Sequence, residues 1–197
     1  EIRGAGEFLG DEQSGQIQTI GFSLYLEMLN RAVETIRDGG SFELTKPLQT
    51  THEVNLHIPT LIPEDYLPDV HTRLIMYKRI SNAKNHSEIL DLQSEMIDRF
   101  GNLPESISNL FEVTQVKLKA LLAGIERIDF GEKGGRIEFG QRPNIDTEAL
   151  VNMIEKQSDL FSLEDGNRLR LHHQTDTGNE RLELIITMLD TLTANKH

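Results

Sequence analysis

IERIDFGEKGGRIEF, residues 125–139, changes the rhythm of the chain from helical to alternating. Ile125 to Phe130 and Arg136 to Phe139 read with a period of two, and Glu132-Lys133-Gly134-Gly135 between them is turn-forming, so the stretch predicts a β-hairpin. A second hairpin follows: Asp159 to Leu163, the turn Glu164-Asp165-Gly166-Asn167, then Arg168 to His172. A helix is predicted after each hairpin. Asp146 to Gln157 turns Leu150, Val151 and Ile154 inward, and Gly178 to Leu192 is apolar at Leu182, Ile185, Ile186 and Leu189. Hairpin, helix, hairpin, helix is the pattern of an α+β domain, with helices packed on a small, mainly antiparallel sheet.

Upstream, the pattern is mostly helical. Val54, Leu56 and Ile58 alternate with Asn55 and His57 as a short strand ended by Pro59. Asp69 is an N-cap for a helix from Val70 to Ser81, with Leu74, Ile75, Tyr77 and Ile80 inward. A helix over Ser87–Phe100 stops at Gly101, and another starts after Pro104, burying Ile107, Leu110, Phe111, Leu118, Leu121 and Leu122 before Gly124 ends it. Further back, Ile17 to Arg37 reads as a long helix behind a glycine-rich loop, stopped by Asp38-Gly39-Gly40-Ser41. The expected organisation is residues 1–40 as loop and helix, 41–51 as a linker, and 52–197 as the compact α+β domain.

Composition narrows the chemistry. The 197 residues contain no cysteine, which removes disulfides, thiolate metal sites and cysteine nucleophiles. No apolar run reaches the roughly eighteen residues that a membrane helix needs, so no membrane association is expected, and the composition fits a cytoplasmic protein. The net charge of −12 opposes nucleic-acid binding by this chain alone, because such binding is driven by lysine and arginine displacing counterions. The local basic group Arg73, Lys78, Arg79 and Lys84 reads as the solvated face of one helix. His52 and His57 are wrongly spaced for two ligands on one strand face, and His172 and His173 point opposite ways in a strand, so no metal site is expected. No Gly-x-x-x-x-Gly-Lys-Ser/Thr stretch is present to cradle a nucleotide, and no serine sits in a nucleophile elbow, so no catalytic residue is assigned.

One helix carries an unusual charge pattern. In Ser87–Phe100, Ile89, Leu92, Met96 and Phe100 share a face, while Glu88, Asp91, Glu95 and Asp98 follow at spacings of three, four and three. At about 100° per residue the four carboxylates fall in one arc opposite the apolar face. Like charges so placed repel by only about 0.2–0.5 kcal/mol per pair. The arc is therefore either an ordinary solvated face or a docking strip for a basic partner surface.

The first twenty-two residues, EIRGAGEFLGDEQSGQIQTIGF, open on glycines at 4, 6, 10, 15 and 21 among charged side chains, a polar loop of fixed shape. With the helix that follows, EIRGAGEFLGDEQSGQIQTIGFSLYLEML resembles the segment after the last helicase motif in the bacterial transcription-repair coupling factors, and a related segment occurs in the branch-migrating helicase RecG. EVNLHIPTLIPEDYLPDVHTRLIMYKRI and SEMIDRFGNLPE extend the resemblance over nearly the whole chain. What it implies is a fragment of an ATP-dependent, superfamily-two DNA translocase that displaces RNA polymerase stalled at lesions and recruits excision repair. ATP and Mg would belong to the parent protein, with no cofactor in this chain. Residues 1–40 would couple hydrolysis to movement on double-stranded DNA through Arg3 and Gln13, with Gly4 and Gly6 shaping the loop. The domain 52–197 would be regulatory, folding back on an N-terminal domain of the same protein that binds the damage-recognition protein UvrA. The motif SEMIDRFG places that autoinhibitory contact on Glu95 and Asp98, and helix geometry extends it to Glu88 and Asp91. Two rival readings are the equivalent region of another superfamily-two helicase with a different accessory domain, and a free-standing acidic protein-interaction domain.

Overall fold

The computed structural model describes residues 52–194. These form five strands and five helices in the order β1 (Glu53–Asn55), α1 (Val70–Ser81), α2 (His86–Phe100), α3 (Glu105–Leu122), β2 (Ile125–Gly131), β3 (Gly134–Phe139), α4 (Thr147–Lys156), β4 (Phe161–Glu164), β5 (Arg168–Leu171) and α5 (Gly178–Thr193). The sheet order is β1-β2-β3-β5-β4. β1 lies parallel to β2, and every other neighbouring pair is antiparallel. The result is the expected α+β domain with a mainly antiparallel sheet.

The first hairpin closes more tightly than the sequence predicts. Gly131 pairs with Gly134, leaving only Glu132 and Lys133 in the loop. Gly134 has φ +114°, a backbone that side chains oppose, and a Cβ at Gly135 would strike the Asp129 carbonyl and Phe130. The two glycines therefore extend the strand where a bulkier pair would have widened the turn.

Alternation along the strands sends one set of side chains into the core. Val54, Leu56, Ile128, Phe130, Ile137, Phe139, Phe161, Leu169 and Leu171 are buried there with Val116 and Ala120 of α3 and Leu182, Ile185, Met188, Leu189 and Leu192 of α5. α4 covers the same core with the half-buried Leu150, Met153 and Ile154. Ahead of the sheet, α1 and α2 pack on the N-terminal part of α3, burying Met76, Tyr77, Ile80, Ile89, Leu92, Met96, Ile107, Leu110 and Phe111.

Four inward assignments fail. Ile75 is 43% exposed and Val151 52%, while Leu121 and Leu122 stand at 47% and 74%. On α1 the buried row runs through Met76, Tyr77 and Ile80, one residue round from Ile75. On α3 the contact face passes through Val116, Ala120 and Ala123, and the last turn carries both leucines past the edge of the core. α4 lies on the core through a narrow stripe, so Val151, next to Leu150, faces out. The strand expected to reach Ile58 ends at Asn55, because His57 adopts φ +51° and turns the chain away.

Candidate functional site

α2 is held firmly at both ends. At its start the Asn85 side chain accepts from the Glu88 N–H at 2.9 Å, while the Glu88 carboxylate accepts from the Lys84 N–H at 2.8 Å and from Asn85 Nδ2 at 3.0 Å. This reciprocal capping satisfies donors that the first helical turn leaves open. At its end Gly101, at φ +90°, closes back on the Ile97 carbonyl. The Tyr66 hydroxyl donates towards the Met96 and Gly101 carbonyls at 3.2 and 3.0 Å, and its ring meets Phe100 edge-on.

The four carboxylates of this helix occupy different electrostatic situations. Glu88 is exposed but committed to the cap. Glu95 accepts a two-pronged hydrogen bond from Arg79 of α1, at 2.7 and 2.5 Å, and a third from Arg99 at 2.8 Å. The Arg79 hydrogen bond, then the Arg99 one, holds the Glu95 carboxyl down at about 2, well below its ordinary 4.5. The same contact raises the Arg79 guanidinium above its usual value. Arg99 also stands over the Phe100 ring, 4.8 Å from its centre. Asp91 and Asp98 are exposed, and among the described residues neither side chain has an ionic or hydrogen-bonding partner. Leu90 and Ile97, 45% and 44% exposed, form an apolar stripe beside the acidic arc.

Residues 56–150 match the TRCF domain family. The transcription-repair-coupling factor of Haemophilus influenzae is 39% identical over 194 residues, 98% of this chain, and that of Escherichia coli K12 is 38% identical over 195 residues, 99% of it. The chain belongs to the transcription-repair-coupling factor family. It spans 17% of the length of each of these two relatives. The crystal structure of the C-terminal domain of a transcription-repair coupling factor superposes with a TM-score of 0.56 at 22% identity, covering 73% of this chain and 96% of that one. At that identity the likeness concerns the fold, and it agrees with the α+β architecture.

Within this family member, Glu88, Asp91, Glu95 and Asp98 all lie on α2, with Glu88 drawn into the helix cap and Glu95 into the arginine pair. Arg3, Gly4, Gly6 and Gln13 lie outside the described residues, as does the predicted linker at 41–51. The basic group on α1 is not a uniform solvated face. Arg73 donates to the Leu67 and Pro68 carbonyls at 2.6 and 3.1 Å, and Arg79 is bound to Glu95. Among the described residues no group of three or more His, Asp or Glu side chains is placed to hold a metal, and no helix is long and apolar enough to cross a membrane.

Two features escaped the sequence reading. The Glu95–Arg99 pair has the i,i+4 spacing of a helical ion pair and was open to view, whereas its Arg79 partner, sixteen residues away, depends on how α1 packs on α2. The arginines of the sheet, Arg127, Arg136, Arg168 and Arg170, follow from strand alternation once their apolar neighbours are assigned to the core.

Proposed function

We propose that this chain is the coupling and regulatory end of a longer ATP-driven DNA translocase that links stalled transcription to excision repair. In this reading residues 1–40, through Arg3 and Gln13, transmit the ATPase cycle to movement on double-stranded DNA, with ATP and Mg bound elsewhere in the longer protein. Residues 52–197 then act as a clamp that folds back on the UvrA-binding N-terminal domain and masks it. RNA polymerase and UvrA are partners of the longer protein. Such a clamp acts by population shift, covering the repair-recruiting surface until other ligands favour the open form.

The observation that supports the clamp is the acidic face of α2. The helix is fixed at both ends, and Asp91 and Asp98 project from it, without partners among the described residues, beside the apolar pair Leu90 and Ile97. A rigid strip with free carboxylates and an apolar border fits a basic surface, where charge complementarity sets register and encounter rate. Glu95 plays a different part: its arginine contacts hold α1 against α2 and keep the strip in shape.

The test is binding of this chain to the isolated UvrA-binding domain of the longer protein over a salt series. Saturable binding that weakens with salt is expected, with a loss of at least about tenfold on changing both Asp91→Lys and Asp98→Lys. These two positions leave the Glu95 cluster and the helix cap untouched. Binding unchanged by that double reversal, in the separated domains and when both are tethered in one chain, would sink the acidic clamp.

A further inference from the structure

The face of the sheet opposite the core carries two rows of polar side chains that cross the strands. One row reads Glu53, Arg127, Glu138, Arg168, Glu164. Its signs alternate, and it is largely self-compensating: Arg127 lies 2.8 Å from Glu53, and Glu138 lies 3.7 Å from Arg168. The adjacent row reads Asn55, Asp129, Arg136, Arg170, Ser162. Here two arginines stand directly opposite each other, an arrangement that costs stability in a sheet. The row's single carboxylate, Asp129, is engaged by His57 Nε2 at 2.7 Å. Among the described residues the one carboxylate paired with Arg136 is Glu138, at 3.7 Å, which it shares with Arg168. Among the described residues Arg170 and Lys133 have no ion-pair partner.

These cations line one open cleft of about 600 Å³, with His57 at one side. Gly131, Gly134 and Gly135 also line it, so part of its floor is bare backbone. Two carboxylates also line the cleft, Glu132 at the hairpin turn next to Lys133, and Asp129, which His57 engages.

We propose that this cleft binds a phosphomonoester-type dianion. A carboxylate carries one charge, which a single arginine compensates, so the charge of the second guanidinium would stay unbalanced. A phosphomonoester offers three oxygens and nearly two charges, enough to engage Arg136, Arg170 and Lys133 together. A phosphodiester backbone offers one charge per phosphate, and the net charge of −12 repels an extended polyanion. The site is distinct from the α2 face and does not depend on the clamp.

The 197-residue chain would be titrated at about pH 7.5 and constant ionic strength with phenyl phosphate, inorganic phosphate and dimethyl phosphate, following backbone amide shifts. Saturable shifts confined to residues around 57, 129–136 and 170 are expected, with dimethyl phosphate at least about tenfold weaker. Inorganic phosphate binding more tightly than phenyl phosphate would identify free phosphate as the ligand; the reverse order would identify a phosphorylated molecule. Arg170→Gln and Arg136→Gln should each weaken binding about tenfold, with Arg99→Gln on α2 as a control that leaves it unchanged. Equal, non-saturating responses to all three anions, or undiminished binding by the Arg136→Gln/Arg170→Gln double variant in a folded chain, would overturn the proposal.

Discussion

Glu95, which the family resemblance offers as a docking residue, also ties two helices of the domain together. Its carboxylate receives Arg79 and Arg99 together, and those contacts hold its pKa at about 2, against an ordinary 4.5. Because the folded value is depressed, the stabilisation is complete above pH 4.5 and is lost as pH falls towards 2. The pair is partly open to water, so screening limits its worth to about 1 kcal/mol. Glu95→Gln should therefore lower urea stability by about that amount at neutral pH, and the gap to the native chain should close between pH 4.5 and about 2. A gap constant across that range would mean that the charge contributes nothing. Tyr77 makes a contrasting case. It is buried, its hydroxyl accepts the Ile62 N–H at 2.5 Å, and burial pushes its pKa up to about 12. Tyr77→Phe removes that acceptor from a buried amide and should cost about 1–3 kcal/mol in urea denaturation, with the fold retained.

At the scale of elements, α2 depends on its start. Asn85 has an extended backbone and caps the Glu88 amide, and Glu88 returns the contact. Asn85→Ala should destabilise the domain by about 1 kcal/mol, and Asn85→Ser, which keeps a capping oxygen without placing a second carboxylate against Glu88, should lose much less; equal losses for both would show that the cap does not carry the effect. This helix was readable to within one residue of its start, because its apolar stripe and terminal glycine are local signals. α1 was readable to the residue, since Asp69 caps it as its side chain implies, accepting from the Thr72 hydroxyl and amide. What local signals could not supply was the depth of each helix in the fold. Leu121 and Leu122 have apolar side chains on a helical stripe, yet they lie beyond the end of the surface that α3 covers. The acidic arc was equally legible as geometry. Its division was partly local, since Lys84 and Asn85 commit Glu88 to the cap and Arg99 lies one turn from Glu95, but Arg79 reaches Glu95 only through the packing of α1, and among the described residues Asp91 and Asp98 are left without partners.

For the molecule as a whole, the least local feature is the attachment of β1. The strand has three residues, pairs in parallel with β2 from seventy-four positions away, and lies at the edge of the sheet. Period two revealed the strand but not its partner, since a parallel pairing leaves no turn to mark it. Arg181 of α5 supplies the missing constraint. It is buried, and it donates through Nε to the Leu56 carbonyl at 2.9 Å, with its terminal nitrogens reaching the His57 carbonyl at 3.3 Å and the Thr175 hydroxyl at 3.4 Å. The last helix thus grips the chain where it leaves the sheet, and two backbone acceptors there rely on it. Arg181→Met keeps much of the aliphatic volume but leaves both carbonyls without their charged donor, which should cost about 2–4 kcal/mol. Hydrogen exchange locates the effect: amides of Glu53–Asn55 should lose protection first, while those of α1 and α2 follow only the global loss. Uniform loss of protection throughout the domain would instead mean that Arg181 serves the core as a whole and that β1 has no separate anchor.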